Sequence, residues 1–450
     1  MNTPIVDFIK NYSQGTMKRF HVPGHKGRGE EDFSSLDITE IKGADVLYYE
    51  EGILEESQKN ASLIFGTGKT LYSTEGSSLA IRAMTALIKM YAEKNGKKPV
   101  IAAARNAHKV FITSCALLDI EVDWLFPLSE MPLVSCVIAE AELEAYLKNC
   151  SELPVAVYVT SPDYLGNISD IKGLSDVCRK YGVLLAVDNA HGAYLRFLPE
   201  DIHPISLGAD ICCDSAHKTL PVLTGGAYLH ISEKAPEYIL QNAKKAMALF
   251  ASTSPSYLIL ASLDKANEIL AGGFRKKIAD LSEKISKMKA QLEAYGKRFI
   301  GNEPLKITLS AKLFGYSGYE VAEILRKNSI ECEFCDKDFT VLMVSPYNTE
   351  SEINHLLAVL MFMVYRGPIE EAFPVLKAPE KKMPIRDAFF APSKSIDVSD
   401  SLGKILSDVS ITCPPAVPVI VCGEVIDAAA IECFKYYGIE RINIVDIEEI

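Results

Sequence analysis

Residues 183–218 read VLLAVDNAHGAYLRFLPEDIHPISLGADICCDSAHK. Two short apolar runs, VLLAVD (Val183 to Asp188) and ADICCD (Ala209 to Asp214), each end on an acid followed by a polar turn. Apolar character that is continuous rather than alternating marks a strand buried on both faces. Ahead of the first run, DIKGLSDVCRKYG (170–182) offers an Asp to cap a helix and Gly182 to end it. Before that helix, VAVYVT (Val155 to Thr160) repeats the strand pattern. Strand, helix, strand in this rhythm predicts parallel strands joined by crossover helices. Further out lie VIAAA (Val100 to Ala104) and KTLYST (69–74), the latter running into a helix, SLAIRAMTALIKMY (78–91), on which only Arg82, Thr85 and Lys89 form a polar stripe. The expected fold is α/β with a mostly parallel sheet. Ligands of such sheets sit at the carboxyl ends of the strands.

The second half of the chain carries its own pattern. Ile278, Leu281, Ile285, Met288, Leu292 and Tyr295 recur at helical spacing, and Gly296 closes the helix. Beyond it, GYEVAEILRKNSI (318–330) and SEINHLLAVLMFMVYR (351–366) are expected helices, with FTVLMVSP (339–346) a strand between them. KAPEKKMP (377–384) reads as a polar linker, and VPVIVCG (417–423) as a last strand. The expected organisation is an N-terminal arm over 1–50, a large domain over 51–275, and a connector helix with a smaller C-terminal α/β domain over 276–450.

Composition narrows the function. Of 450 residues, 48% are hydrophobic and 24% charged, the balance of a packed globular protein. A net charge of −12 argues against a nucleic-acid partner and makes a cationic small molecule weakly welcome. No apolar run approaches the ~18 residues of a membrane helix. MNTPIVDFIK lacks the basic and apolar regions of a secretory signal, so a cytoplasmic protein is expected. The 11 cysteines are odd in number and scattered through apolar runs, which fits reduced thiols. Cys332 and Cys335 form a lone CxxC without further ligands, and no metal site is expected. GTGKT (66–70) is no phosphate-binding P-loop, because Leu63 occupies the required upstream Gly position and a helix precedes it. His21 and His25 have the spacing of a zinc helix, but Pro23 and Gly24 lie between them.

Three strand ends remain. After KTLYST, Gly76, Ser77 and Ser78 open a helix whose free N–H groups and dipole suit a phosphate, although Ser also caps helices for structural reasons alone. Asp188 places a carboxylate at the edge of a buried sheet, where it is costly unless paired. Lys218 follows a core strand closely, so partial desolvation would free its amine as a nucleophile; a snorkelling surface Lys is the alternative. Pyridoxal phosphate needs these three things together: a Lys to bind covalently, an acid facing the pyridine nitrogen, and a phosphate cradle.

With these residues in view, the chain resembles the Orn/Lys/Arg decarboxylase family, pyridoxal-phosphate enzymes of the aspartate-aminotransferase fold. The likeness rests on FHVPGHKGRG (20–29), DITEIKGADVL (37–47), TEGSSLAIRAM (74–84), RNAHK (105–109), VDNAHGAY (187–194), DSAHKTLPVLTGGAYLH (214–230), STSPSYLILASLD (252–264) and RDAFFAP (386–392). It implies a short member, without the N-terminal receiver-like domain of larger relatives. By that resemblance Lys218 would anchor the cofactor, Asp188 would pair with its ring nitrogen, and His108 would stack on the ring. Gly76, Ser77, Ser78 and Ser215 would hold the phosphate; His217 would position the Lys or move protons. His191 matches the DxAHG motif and would contact the cofactor, with a local structural role as the alternative, and Ser252 to Tyr257 resemble a segment that can reach a partner subunit's site. The implied activity is decarboxylation of arginine, lysine or ornithine to an amine of polyamine metabolism, in a homodimer or larger homo-oligomer. Alternatives are a transaminase or lyase using the same cofactor, or a cofactor-binding protein with little catalysis. The chain departs from the family at Asn189 (usually Glu), at Gly225 (LTQ becomes Leu223-Thr224-Gly225), at Glu75, and at Cys413 to Ala416. These departures bear on the substrate and the reaction. Glu331, Glu333 and Asp336 are candidates for the substrate's distal end, with a solvated acidic stretch as the alternative.

Overall fold

The computed structural model describes residues 1–49, 51–375, 378–409, 412–413 and 417–446. The apolar runs become seven strands of one large sheet: β1 (Lys69–Ser73), β2 (Val100–Ala104), β3 (Glu121–Leu125), β4 (Ala156–Thr160), β5 (Leu184–Asp188), β6 (Ile211–Asp214) and β7 (Ala227–Ile231). By packing, the chain divides into two units, Met1–Pro99 with Ile171–Lys277, and Val100–Asp170 with Ile278–Ile450.

In the first unit the strand order is β1-β7-β6-β5. β5 and β6 run parallel, with Asp188 opposite Cys213, while β7 is antiparallel to both its neighbours. The fold is α/β, and the seven-stranded sheet is mostly parallel once the β2–β3 and β2–β4 pairings are included; every residue of β5, β6 and β7 is buried. The crossover helix runs from Ile171 to Tyr181 and stops at Gly182, whose φ of +67° is costly for residues with a Cβ. The helix after β1 spans Gly76–Lys94 and buries one apolar residue after another. Thr85 does not join a polar stripe: it is buried, and its hydroxyl donates to the Ile81 carbonyl at 2.8 Å. GTGKT leads out of the helix Ile53–Phe65 into β1, the reverse of a P-loop.

The first helix, Pro4–Gln14, is docked from its start. Its leading amides at Ile5 and Val6 both donate to Asp264 Oδ2 at 3.0 Å, and Ser57 donates to the other oxygen at 2.6 Å. A carboxylate borrowed from residue 264 therefore does the capping that no local side chain supplies. Tyr257 is fully buried, its hydroxyl donating to the carbonyls of Ala44 and Asp45.

In the second unit the strand order β4-β2-β3 is parallel throughout its two β2 pairings. A four-stranded antiparallel sheet, in the order β10-β11-β9-β8, is formed by β8 (Phe299–Ile300), β9 (Lys306–Ser310), β10 (Phe334–Cys335) and β11 (Phe339–Met343). Its core includes Leu165, Phe334, Val341, Val419, Ile420 and Phe434. The periodic helix spans Phe274–Ala294 and buries Ile278, Leu281, Ile285, Met288 and Leu292. Tyr295 lies past its end and is exposed, because the helix has already closed at Gly296 with φ +82°. The helix over SEINHLLAVLMFMVYR starts at Glu350 and ends at Phe362. Of VPVIVCG only Val417 and Pro418 are strand; Val419 to Cys422 are core without ladder pairing, since burial and not β structure is what the apolar run encodes. The KAPEKKMP stretch is pinned from Glu380 onward, where Val425 donates to the Glu380 carbonyl and Lys381 bridges Glu424. Lys377 and Pro414 to Ala416 lie outside the described residues. Cys332 and Cys335 are free thiols.

Candidate active site

β5 and β6 end side by side, and candidate residues stand at both ends. Asp188, the last residue of β5, is 2% exposed. Its Oδ1 accepts from the Ala190 amide at 3.1 Å and from the Cys213 thiol at 3.5 Å. The chain then turns through Asn189 and Ala190 to His191, which is buried. After β6, Ser215 leads into a single helical turn, Ala216–Thr219, that carries Lys218. Lys218 Nζ lies 2.8 Å from His191 Nε2, so the two strand-end turns meet through their side chains. Sequence reasoning placed His191 beside the Asp without giving it the Lys as partner. The contact joins residues 27 positions apart and no local motif encodes it.

His217 points elsewhere. Its backbone amide and its Nδ1 both donate to the Gly226 carbonyl, at 3.1 and 3.0 Å. A carbonyl only accepts, so the neutral ring carries its proton on Nδ1 and leaves Nε2 as the basic atom.

The proposed cradle forms where Ser77 and Ser215 meet, with Ser215 Oγ donating to Ser77 Oγ at 2.8 Å. Ser77 and Ser78 are half-buried in the first turn of Gly76–Lys94, where backbone N–H groups have no partner within the helix. Gly76 has φ +69° with open space where a Cβ would stand, leaving room for a ligand at the helix start. Gly225 explains one departure from the family. Its φ is +96°, and a Cβ there would meet the Thr74 carbonyl at 2.9 Å. Its own carbonyl accepts from the Gly76 amide at 2.7 Å. A side chain at 225 would push the cradle turn away. Glu75 likewise has a task, accepting from the Ser252 amide at 2.8 Å.

His108 belongs to the second unit, where it caps the helix Lys109–Leu118 with Nδ1 accepting from the Val110 amide at 3.2 Å. Three residues earlier, Arg105 is 4% exposed and donates through Nη2 to Glu424 Oε2 at 2.8 Å and to the Val419 carbonyl at 3.3 Å. Its guanidinium also lies 5.0 Å from the Trp124 ring. This pair fixes the turn that presents His108. Arg105→Met should cost about 3–5 kcal/mol, because Glu424 is left charged and unpaired in the interior. Replacing Glu424 by Leu as well should recover much of that loss in urea midpoints; a midpoint unchanged in the single variant would refute the pair's role.

The three acids proposed for the substrate's distal end separate. Glu331 and Glu333 line one cavity of about 480 Å³ in the second unit. Each has a partner there, Arg326 for Glu331 and the Tyr164 hydroxyl for Glu333. Asp336 is 1% exposed and spends Oδ1 on the amides of Asp338 and Phe339; burial pushes its carboxyl up to about 6. It serves as a turn cap.

The Orn/Lys/Arg decarboxylase major domain matches residues 3–308. The chain is 29% identical to an arginine decarboxylase of Halalkalibacterium halodurans over 461 residues, 94% of this chain and 91% of the relative. It is 27% identical to the Bacillus subtilis arginine decarboxylase, again over 94% and 91%. Among solved structures, the lysine decarboxylase of Francisella novicida superposes with a TM-score of 0.80 at 18% identity, over 99% of this chain and 81% of the other. Lysine decarboxylase A of Pseudomonas aeruginosa gives 0.82 at 15% identity, over 98% and 80%. The family match spans more than half of the chain, over residues 3–308, and so the chain belongs to the Orn/Lys/Arg decarboxylases, pyridoxal-phosphate-dependent enzymes.

Proposed function

We propose that the protein decarboxylates a basic amino acid, arginine before lysine or ornithine, using pyridoxal phosphate. The observation that carries this reading is the Lys218–His191 pair at 2.8 Å, beside buried Asp188. The residues fit the cofactor: open space at Gly76, the Ser77–Ser215 hydroxyl pair and an amine held by an imidazole are what its phosphate and aldehyde require. Lys218 would hold the aldehyde carbon, Asp188 the pyridine nitrogen, and Ser77, Ser78 and Ser215 the phosphate; His108 is kept as the stacking ring on the family likeness. When bound, the cofactor supplies an electron-withdrawing ring that takes up the electron pair left at Cα as CO₂ departs.

The protein's own groups do the rest. His191 Nε2, 2.8 Å from Lys218 Nζ, can take a proton from the ammonium and leave the amine nucleophilic. Burial of Asp188 keeps water from its carboxylate, so its charge acts at full strength on whatever faces it. Arginine comes first because several relatives that match along most of the chain carry that name. A homodimer is the assembly the family likeness supports.

Product analysis by mass spectrometry on an amino-acid panel tests the reading. Arginine should give its amine and CO₂, with lysine and ornithine slower by tenfold or more, on the order of 1.4 kcal/mol in barrier. Keto acid products, or turnover confined to neutral or acidic amino acids, would overturn it.

A further inference from the structure

Behind the proposed site lies a second buried carboxylate that the mechanism leaves unused. Asp214, the last residue of β6, is completely buried, as are His203, His230 and Asn189. Asp214 Oδ2 lies 3.1 Å from His203 Nε2 and 3.2 Å from His230 Nε2. Its Oδ1 accepts from Asn189 Nδ2 at 2.7 Å. Two imidazoles and a carboxylate with ligand atoms within 4.8 Å of one another have the composition of a metal site. The hydrogen bonds argue otherwise. His203 Nδ1 accepts from the Ile205 amide, so its proton sits on Nε2, the atom that a metal would need bare. His230 Nδ1 is engaged by the Thr70 hydroxyl at 2.8 Å, which lets its Nε2 donate in the same way. Burial pushes the Asp214 carboxyl up, and the two imidazoles more than offset that, holding it below the usual carboxylate range. It is an anion clamped by three N–H donors.

The clamp is placed where it matters. Asn189 follows Asp188 directly, and Asp214 directly precedes Ser215 and stands one helical turn before Lys218. The Asn189 amide also bonds the Cys213 carbonyl at 2.9 Å, so backbone and side chain both tie the turn after β5 to the end of β6. Because a carboxylate only accepts, Asp214 dictates which way the Asn189 amide faces. We propose that Asp214 is a positioning residue whose carboxylate, held by His203 and His230, locks Asn189 and thereby sets the Asp188 turn against the Ser215–Lys218 turn for cofactor binding. The proposal rests on the functional reading above.

Asp214→Asn keeps the size and can still accept from both imidazoles, but it turns an amide donor toward the Asn189 donor. Asn189→Asp sets acceptor against acceptor. The double exchange restores one donor and one acceptor with the direction reversed. We expect each single variant to raise the dissociation constant for pyridoxal phosphate about tenfold or more, followed by absorption, and to change the circular dichroism of the cofactor band. The double variant should return both to within about threefold of wild type. Should Asp214→Asn fail to fold, Asn189→Ala, which leaves Asp214 on both imidazoles, should show the same weakened binding. Single variants that bind as wild type does, a double exchange no better than either single, or one equivalent of metal in wild-type protein would overturn the inference. Wild-type protein that takes up no pyridoxal phosphate overturns the functional reading along with it. Normal wild-type uptake with unmoved variants overturns this inference alone.

Discussion

Lys218→Ala is expected to abolish turnover, a loss of a thousandfold or more, equivalent to about 4 kcal/mol of barrier or greater. Lys218 stands on a one-turn helix fixed at both ends: Ser215 begins it, and the Leu220 amide closes it on the Ala216 carbonyl. Lys218 Nζ lies 2.8 Å from His191 Nε2, and His191 itself is packed in the interior. The substitution removes the proposed covalent anchor and leaves His191, its proposed proton acceptor, in place. Borohydride reduction of the loaded wild type should fix the label on the peptide containing Lys218. The Ala variant should still take up pyridoxal phosphate without that bond, because the Ser77–Ser215 pair and the helix start at Gly76 are untouched. A label on a different Lys, or a Lys218→Ala variant with more than about a tenth of normal turnover, would reject the assignment.

The strand ends were legible because of how buried parallel strands are written. VLLAVD and ADICCD are apolar without alternation, and the polar residue that ends each run is also where the strand leaves the sheet. That pattern is what brings Asp188 and Lys218 forward as candidates. What the linear pattern could not give were partners set by tertiary approach. Lys218 meets His191, Asn189 meets Asp214, and Arg105 meets Glu424 across more than 300 positions of chain. Periodicity also misassigned Thr85, which satisfies its hydroxyl within its own helix and so can be buried. The departure at Gly225 looked like the loss of an amide side chain, yet in three dimensions it is a requirement of the backbone: positive φ, and a carbonyl brought close to the Gly76 amide.

Asp188→Asn should keep the fold and lose most of the rate, by two to four orders of magnitude in a fully loaded enzyme. The fold survives because an amide oxygen can still accept from the Ala190 amide, which Asp188 Oδ1 does at 3.1 Å, and the substitution changes neither volume nor burial. The charge is what goes. A buried carboxylate facing a pyridine nitrogen keeps that nitrogen protonated, and a neutral amide cannot. Each pKa unit of lost support is worth about 1.4 kcal/mol, or tenfold in rate where the protonated ring is required, so two to four units give the range stated. Weakened cofactor binding could mimic this loss, and loading must therefore be measured by absorption before turnover is compared. Because Asp188 and the cradle serinessit on different strand ends, uptake should fall far less than rate. A fully loaded Asp188→Asn variant with near-normal turnover would remove Asp188 from the site while leaving Lys218 in place.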